Sequence, residues 1–340
     1  MPMISLPPCL PYRTPFLRAV AGAVLLTFGA ACAGDKTGPS SEALSAADSA
    51  AAAPGDSAAS VGSTIVSPSV SALPGIAFGS TDMPKDMLGT VHTGSHIGGA
   101  LSPTNMLGLL SNARARGARY VLKMCMGSDK WVKNSDGTFS FTKWKALVDR
   151  FKAVNFASYV ADGTVLGHYL IDEPSRAEKW GGKVISQAQI EAMAAYSKKI
   201  WPGLPTLVRV VPSWLAKAPV TYTHLDAGWF QYAARFGDPA KALATEVAAA
   251  KSKGLGLMVG MNVLDGGNGT SKIPGWSSGK WKMSATEIRN YGLPLLSNSY
   301  VCGFIQWMWD PAYYGRADIK SAMTALSIKA KAHASTSCRA

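Results

Sequence analysis

Residues 163–174 read GTVLGHYLIDEP, an apolar run that ends in two adjacent carboxylates, Asp172 and Glu173, followed by a proline. Apolar runs of this length, bounded by Gly and Pro, are typical of parallel strands buried on both faces. Proline lacks the backbone donor that a sheet needs, so it marks where the strand stops. We predict a buried strand that delivers acidic groups to its carboxyl end. The alternative is an acidic surface turn.

Apolar strand-like runs alternate with helical patterns on both sides of this stretch. The predicted strands are 75–80, 118–126, 163–174, 205–212, 225–232, 255–263 and 301–310, and the predicted helices are 104–116, 141–154, 186–201, 239–253, 284–296 and 316–331. This alternation predicts βα units and a parallel sheet. Residues 73–340 also have about the length of a (β/α)8 barrel, roughly 250 residues.

We therefore predict an α/β fold, a (β/α)8 TIM barrel, for residues 73–340. Only seven strands are clear, and the eighth is expected to be short, near Thr90 or Thr138. An incomplete barrel or an open doubly wound sheet is the alternative. No Gly-rich phosphate loop follows any predicted strand, which disfavours a nucleotide-binding sheet.

The N-terminus has the order of an export signal. Arg13 and Arg18 precede the apolar residues 19–28, and Gly-Ala-Ala-Cys follows at 29–32. The Ala-Ala-Cys ending resembles the lipobox of bacterial lipoproteins, which implies lipidation of Cys32, although Gly29 departs from that pattern. We predict a signal peptide at 1–31 and a flexible tether at 32–72, because the latter residues include no aromatics and are poor in bulky apolar groups. Secretion after ordinary cleavage, or a retained helix in a cytosolic protein, is the alternative.

Composition limits the possible functions. The 340-residue chain is 47% hydrophobic and 16% charged, enough to bury a large core, and its formal charge of +13 raises the question of nucleic-acid binding. The lysines are spread along the chain and no basic run is interleaved with aromatic residues, so we expect no nucleic-acid partner. The cysteine spacing does not suit zinc, and His92, His96 and His168 form no ligand motif, so we expect neither metal nor cofactor.

Polar side chains recur toward the carboxyl ends of the predicted strands. They are Lys123, Asp172, Glu173, Arg209, Gln231, Asn262, Gln306 and Asp310. Polar groups in apolar strands are costly unless they find partners. In a barrel they would converge on one mouth, where such folds place their active sites. Solvated strand ends are the alternative.

Aromatic side chains follow the same distribution, at Trp229, Tyr232, Trp307 and Trp309. Flat aromatic faces beside amides, guanidinium groups and carboxylates suit a sugar ring, which stacks on the former and hydrogen-bonds to the latter. Core packing is the alternative for Trp229 and Trp307. We therefore expect an oligosaccharide or polysaccharide partner that contacts these strand-end polar residues and aromatic residues.

A strand ending in IDEP and preceded by GHYL, the WGG at 180–182, and a last strand ending FIQWMWD resemble the (β/α)8-barrel glycoside hydrolase superfamily. The resemblance implies that Glu173 is the general acid/base and that Trp307 or Trp309 lines a sugar subsite. Those enzymes carry a second carboxylate on a later strand, where this chain has Asn262. Because glycoside hydrolysis uses two carboxylates, Asp172, Asp265 and Asp310 are the candidates for the second.

Two functions remain open at this point. One is an exported, lipid-anchored glycosidase with Glu173 as proton donor, and the other is a noncatalytic glycan-binding surface lipoprotein. A Schiff base on Lys123 is a further possibility, but we expect Lys123 to pair with Asp172 or Glu173 instead.

The cysteines outside the predicted leader are Cys125, Cys302 and Cys338. Cys302 opens the last predicted strand and Cys338 follows the last helix, so both belong to the amino-terminal end of a barrel. We predict a disulfide between them, which an oxidising compartment permits, and a buried free thiol at Cys125.

Overall fold

The computed structural model of the protein describes residues 73–97, 101–125, 127–334 and 337–338. Eight parallel strands are hydrogen-bonded in chain order, and the last pairs with the first, so the sheet closes into a barrel. The strands are β1 (Ala77–Thr81), β2 (Gly94–Ile97), β3 (Arg119–Leu122), β4 (Val165–Asp172), β5 (Thr206–Arg209), β6 (Ala227–Tyr232), β7 (Gly256–Met261) and β8 (Val301–Gln306). The predicted (β/α)8 TIM barrel is confirmed, and the open sheet is wrong.

The α-helices cover the outside of the barrel. They are α1 (Pro103–Ala115), α2 (Phe141–Asp149), α3 (Ala157–Ala161), α4 (Gln187–Ile200), α5 (Pro212–Leu215), α6 (Pro239–Ser252), α7 (Ala285–Leu295), α8 (Pro311–Gly315) and α9 (Ala317–Lys331). Ser102, Ser186 and Ser284 begin α1, α4 and α7 with reciprocal capping boxes. These caps satisfy backbone donors that a helix start would leave unpaired, and they anchor the loops that follow the strands.

The core has two layers. Side chains from most of the strands, among them Val121, Leu207, Trp229 and Met258, meet in one cluster that fills the barrel interior. A larger cluster lies between the strands and the helices. Because side chains alternate along a strand, neighbouring residues of one strand face different layers, and every strand except β2 contributes to both clusters.

The missing eighth strand is β2, four residues beyond Thr90, which was one of the two positions expected for it. The chain from β1 to β2 contains only a short 3-10 helix, Lys85–Met87, where other βα units have longer helices. The predicted helix 141–154 ends earlier, since α2 stops at Asp149 and the separate α3 follows.

A disulfide joins Cys302, in β8, to Cys338, as predicted. Both cysteines belong to the interior cluster, and the backbone of Cys338 lies against Gly256 at the start of β7. The bond therefore closes the amino-terminal end of the barrel. Cys125 is a buried free thiol, also as predicted, and burial raises its pKa to about 11.

The predicted signal peptide at 1–31, the lipidation site Cys32 and the tether at 32–72 lie outside the described residues. Within the described residues, no helix is long and apolar enough to cross a membrane.

Candidate functional site

A cavity of about 190 Å³ opens at the carboxyl ends of strands β4 to β7. Its polar lining consists of Glu173, Ser175, Arg176, Arg209, Gln231, Arg235 and Asn262, and its aromatic lining of Trp229 and Phe236. The volume is below the range of roughly 300–1,000 Å³ that encloses a drug-sized ligand. The cavity therefore suits one residue of a longer ligand rather than the whole of it.

Glu173 reaches this cavity because of an unusual backbone. Its φ of 46° lies in the left-handed region, which costs a residue with a side chain about 1–3 kcal/mol. Two bonds hold it there: its N–H donates to the carbonyl of Arg209 at 3.0 Å, and the indole of Trp180 donates to its own carbonyl at 3.0 Å. The carboxylate is 32% exposed and pairs with Arg176 at 3.0 Å.

Asp172 lies immediately behind Glu173 and is enclosed by donors. Its Oδ1 accepts from the Tyr169 hydroxyl at 2.7 Å and from Arg209 Nε, while its Oδ2 accepts from Lys179 Nζ at 2.6 Å. Burial alone would raise its pKa, but the charges of Arg209 and Lys179 outweigh burial and hold the pKa well below its usual range. Asp172 is therefore a permanent anion that orients Arg209.

The ion pairs continue beneath the cavity. Lys179 Nζ also lies 3.6 Å from Glu173 Oε2 and 2.9 Å from Asp129, and Asp129 in turn pairs with Lys123 at 3.2 Å. We expected Lys123 to pair with Asp172 or Glu173. That expectation is wrong, because Lys123 forms its ion pair with Asp129. Asp129 lies in the loop after β3, where sequence position alone did not link it to the strand ends.

Two buried polar atoms of the cavity lining have no hydrogen-bond partner among the described residues. They are the indole nitrogen of Trp229 and Oε1 of Gln231. Gln231 donates through Nε2 to the carbonyl of Ile305 at 3.0 Å, across β7. Gly260 permits this contact, because a Cβ there would lie 1.9 Å from the same carbonyl oxygen.

His96, at the end of β2, lies deeper in the mouth. Its ring stands edge-on to Tyr169 with 5.1 Å between centroids, and neither ring nitrogen has a hydrogen bond to a described residue. Burial, and then the nearby charge of Lys123, lower its pKa to about 3. His96 is therefore a neutral ring at physiological pH.

The structure thus brings five predicted residues together around the cavity: Glu173, Arg209, Trp229, Gln231 and Asn262. Asp172 and Lys123 belong to the ion-pair network next to it. Trp307 is bridged to Asn262 through the backbone, and its ring contacts that of the exposed Trp276 at 6.4 Å.

Other predicted site residues are elsewhere. Tyr232 packs against Tyr291 and Gln306 contacts Met323, so both side chains face the helix layer and not the mouth. Trp309 lines a separate cavity of about 460 Å³ with His92 and other residues.

Asp265 and Asp310, two candidates for the second carboxylate, make hydrogen bonds that hold nearby loops and a helix start. Asp265 accepts bonds from the backbone and hydroxyl of Ser277 at 2.9 and 2.6 Å. Asp310 caps α8 by accepting from the Tyr313 amide at 2.6 Å, with Lys282 at 3.5 Å. Among the described residues that line the cavity, Glu173 alone carries a carboxylate.

Sequence reasoning missed several residues of this face. Arg176 and Lys179 follow Glu173 in the same loop, Arg235 follows β6, and Trp276 belongs to the loop after β7. A cation three residues after an acid is a weak signal for the first of these. Nothing in the sequence distinguishes the others from ordinary surface residues. The described residues include no cluster of three or more His, Cys, Asp or Glu side chains that could hold a metal ion.

No protein-family model and no curated protein matches the sequence. Similar solved structures include a GH113 β-1,4-mannanase, with 11% identity over 76% of this chain and 99% of that one and a TM-score of 0.48. Another is a xylanase A mutant of P. fluorescens subsp. cellulosa with xylopentaose, with 11% identity over 77% and 99% of the chains and a TM-score of 0.48.

A third is the catalytic domain of the major endoglucanase of Xanthomonas campestris pv. campestris, with 12% identity over 75% and 94% of the chains and a TM-score of 0.47. These similar structures are glycoside hydrolases. The fold itself rests on the strand pairings of this chain, and likeness at this level carries no argument about activity.

Proposed function

We propose that the protein binds an oligosaccharide at the carboxyl end of its barrel, with one sugar residue in the cavity beside Glu173. The observation that carries this proposal is the composition of the cavity wall. Amide, guanidinium and carboxylate groups lie beside the aromatic rings of Trp229 and Phe236. Sugar hydroxyls bond to such polar groups, and the C–H faces of the ring pack on aromatic rings.

Binding without cleavage is the form of this function that the geometry supports best. Glycoside hydrolysis by the usual route needs a second carboxylate, about 5–5.5 Å from the first for retention or about 6.5–9.5 Å for inversion. Asp172 precedes Glu173 in the chain, but its carboxylate is already bound by Tyr169, Arg209 and Lys179. No other carboxylate of the described residues lines the cavity.

The second candidate is a glycosidase in which Glu173 protonates the leaving oxygen. It is favoured by the position of Glu173 directly after β4, with its carboxylate partly exposed in the cavity. A carboxyl group in this place can reach a bound sugar at the end of the barrel where TIM-barrel enzymes carry out their chemistry.

Calorimetric titration and an assay for new reducing ends, on the same oligosaccharide panel, separate the two candidates. For the binding function, we expect affinity without release of reducing ends, and about tenfold weaker binding in Glu173→Gln because a charge-assisted hydrogen bond is lost. Asp318→Asn is the matched control, since it also removes one carboxylate charge and Asp318, which is 48% exposed, pairs with Arg316 outside the cavity wall. Release of reducing ends that Glu173→Gln abolishes would establish the glycosidase instead, and no binding at all would refute both.

Export and lipid anchoring are a separate part of the proposal, supported by the order of charged, apolar and small residues before Cys32. In a bacterial host, the full chain is expected to take up labelled palmitate and Cys32→Ala to take up none. A mature protein that begins elsewhere by intact mass, without label, would contradict the lipoprotein assignment and leave the sugar site unaffected.

A further inference from the structure

Cations and carboxylates beside the cavity form one ion-pair network. In the ion-pair network, four cations face four carboxylates: Lys123, Lys179, Arg209 and Arg176 against Asp129, Asp172, Glu173 and Glu178. Arg235 also lines the cavity and lies outside this network. Its charge is therefore not paired within the network.

Arg235 has no ion pair and no hydrogen bond to any residue that the structure describes. It follows β6 in a short 3-10 helix, Ala234–Phe236, and its guanidinium lies 4.7 Å from the ring centroid of the neighbouring Phe236. Stacking on an aromatic face restrains an arginine while leaving its in-plane N–H donors free. Those donors are available to a ligand in the cavity.

Arg209, at the end of the neighbouring strand β5, supplies further unused donors to the same cavity. Its Nε is bound to Asp172 and to the Tyr169 hydroxyl. Its terminal nitrogens make no hydrogen bond to a described residue, and Nη2 comes no closer than 4.0 Å to Glu173. The side chain is only 14% exposed, so Asp172 holds these donors in a fixed orientation.

Two guanidinium groups with free donors on one small cavity are more than a neutral sugar requires. Guanidinium groups match planar or tetrahedral oxyanions best, through paired charge-assisted hydrogen bonds. Resting on the proposed function, we infer that the sugar bound in this cavity is acidic, carrying a carboxylate or a sulfate ester between Arg209 and Arg235.

The test uses two pairs of oligosaccharides that differ only in charge. The first pair is an oligogalacturonide and its methyl ester, and the second is a sulfated carrageenan oligosaccharide and its desulfated form. Calorimetry is expected to show at least about tenfold tighter binding of the acidic member of one pair, because a guanidinium–oxyanion contact is charge-assisted. The first pair reports a carboxylate ligand and the second a sulfate ester.

Arg235→Gln is expected to remove most of this preference, because it should weaken binding of the acidic member far more than binding of the neutral member. Arg289→Gln is the matched control, because Arg289 lies on α7 and bonds to Ser321 on the outer surface. Raising the salt concentration should lower the affinity for the acidic oligosaccharide but not for the neutral one, because salt screens the contact between charged groups.

Each outcome decides the matter. Equal affinity for charged and neutral members of both pairs overturns the inference and leaves the proposed sugar binding intact. A preference for the acidic member that survives in Arg235→Gln overturns the assignment to Arg235. If folded protein, verified by circular dichroism, binds no member of the panel, the proposed function fails and the inference fails with it.

Discussion

Replacing Asp172 by Asn tests the ion-pair network on which the candidate site rests. Asn keeps the size of the side chain and can still accept from the Tyr169 hydroxyl, but it removes the negative charge between Arg209 and Lys179. Lys179 retains Asp129 at 2.9 Å, whereas Arg209 is left with Glu173 at 4.0 Å. Most of the cost therefore comes from an uncompensated Arg209.

Breaking a buried ion pair by removing one partner costs about 3–5 kcal/mol. The side chains of Asp172 and Arg209 are 15% and 14% exposed, so we expect the lower end, about 3 kcal/mol of unfolding free energy. For a domain of this size that corresponds to a fall in Tm of about 6–9 °C. Urea unfolding followed by tryptophan fluorescence measures the difference directly.

The pH dependence follows from the sign of the shift. The folded-state pKa of Asp172 is held well below the unfolded value of about 3.9. The stability that its charge contributes is therefore complete above about pH 4 and is lost as the pH falls toward the folded-state pKa. The gap between the wild type and Asp172→Asn should be constant near neutrality and should narrow in acid.

Asp318→Asn provides the matched control, since the Arg316–Asp318 pair is 46% and 48% exposed. An exposed pair contributes less than about 1 kcal/mol. If Asp172→Asn destabilises the protein no more than Asp318→Asn does, the argument that Asp172 anchors Arg209 is refuted. A double-mutant cycle with Arg209→Met should show a coupling energy of about 1–3 kcal/mol.

Three further predictions concern other parts of the molecule. Replacing Cys302 and Cys338 by Ala should lower the unfolding free energy by about 3–4 kcal/mol, because the disulfide closes a loop with a sequence separation of 36; an unchanged urea midpoint would contradict this. Burial lowers the pKa of His168 to about 3, so the stability that depends on its neutral ring is complete above about pH 6.5 and is lost as the pH falls. The unfolding free energy should therefore change less steeply with pH between pH 6.5 and 4 in His168→Asn, by about 1.4 kcal/mol per pH unit. An equal slope in both proteins would refute the conclusion that His168 is buried in its neutral form. Trp276→Ala should weaken oligosaccharide binding about three- to tenfold with less than about 0.5 kcal/mol change in stability, because the ring is 61% exposed beside Trp307; the same loss in the exposed helix variant Ile328→Ala would show that the effect is not specific.

Long apolar runs made most of the fold predictable. The run 163–174 contains β4, and the predicted helix 186–201 extends one residue beyond α4 at each end. β2 was expected only approximately, near Thr90 or Thr138, because its sequence, GSHI, contains a single large apolar residue. Its strand form depends on backbone bonds to β1 and β3, and these are tertiary.

The candidate site was harder to predict because a side chain's direction depends on register. Gln306 and Trp307 are neighbours, yet Gln306 faces the helices while Trp307 contacts the loop residue Trp276. In β4 the pairing with β5 shifts between Tyr169 and Asp172, so counting along the strand does not give the orientation of its end. The charges of Lys179 and Arg235 come from loops, which carry no periodic pattern.

The position of Cys338 has a practical consequence. It is fastened to β8 beneath the closed end of the barrel, opposite the strand ends that carry Glu173. A biotin or a histidine tag joined after Cys338 would leave from that underside. On a sensor chip, protein captured through such a tag would present the cavity beside Glu173 to the flowing solution, so immobilisation itself would not block a binding measurement.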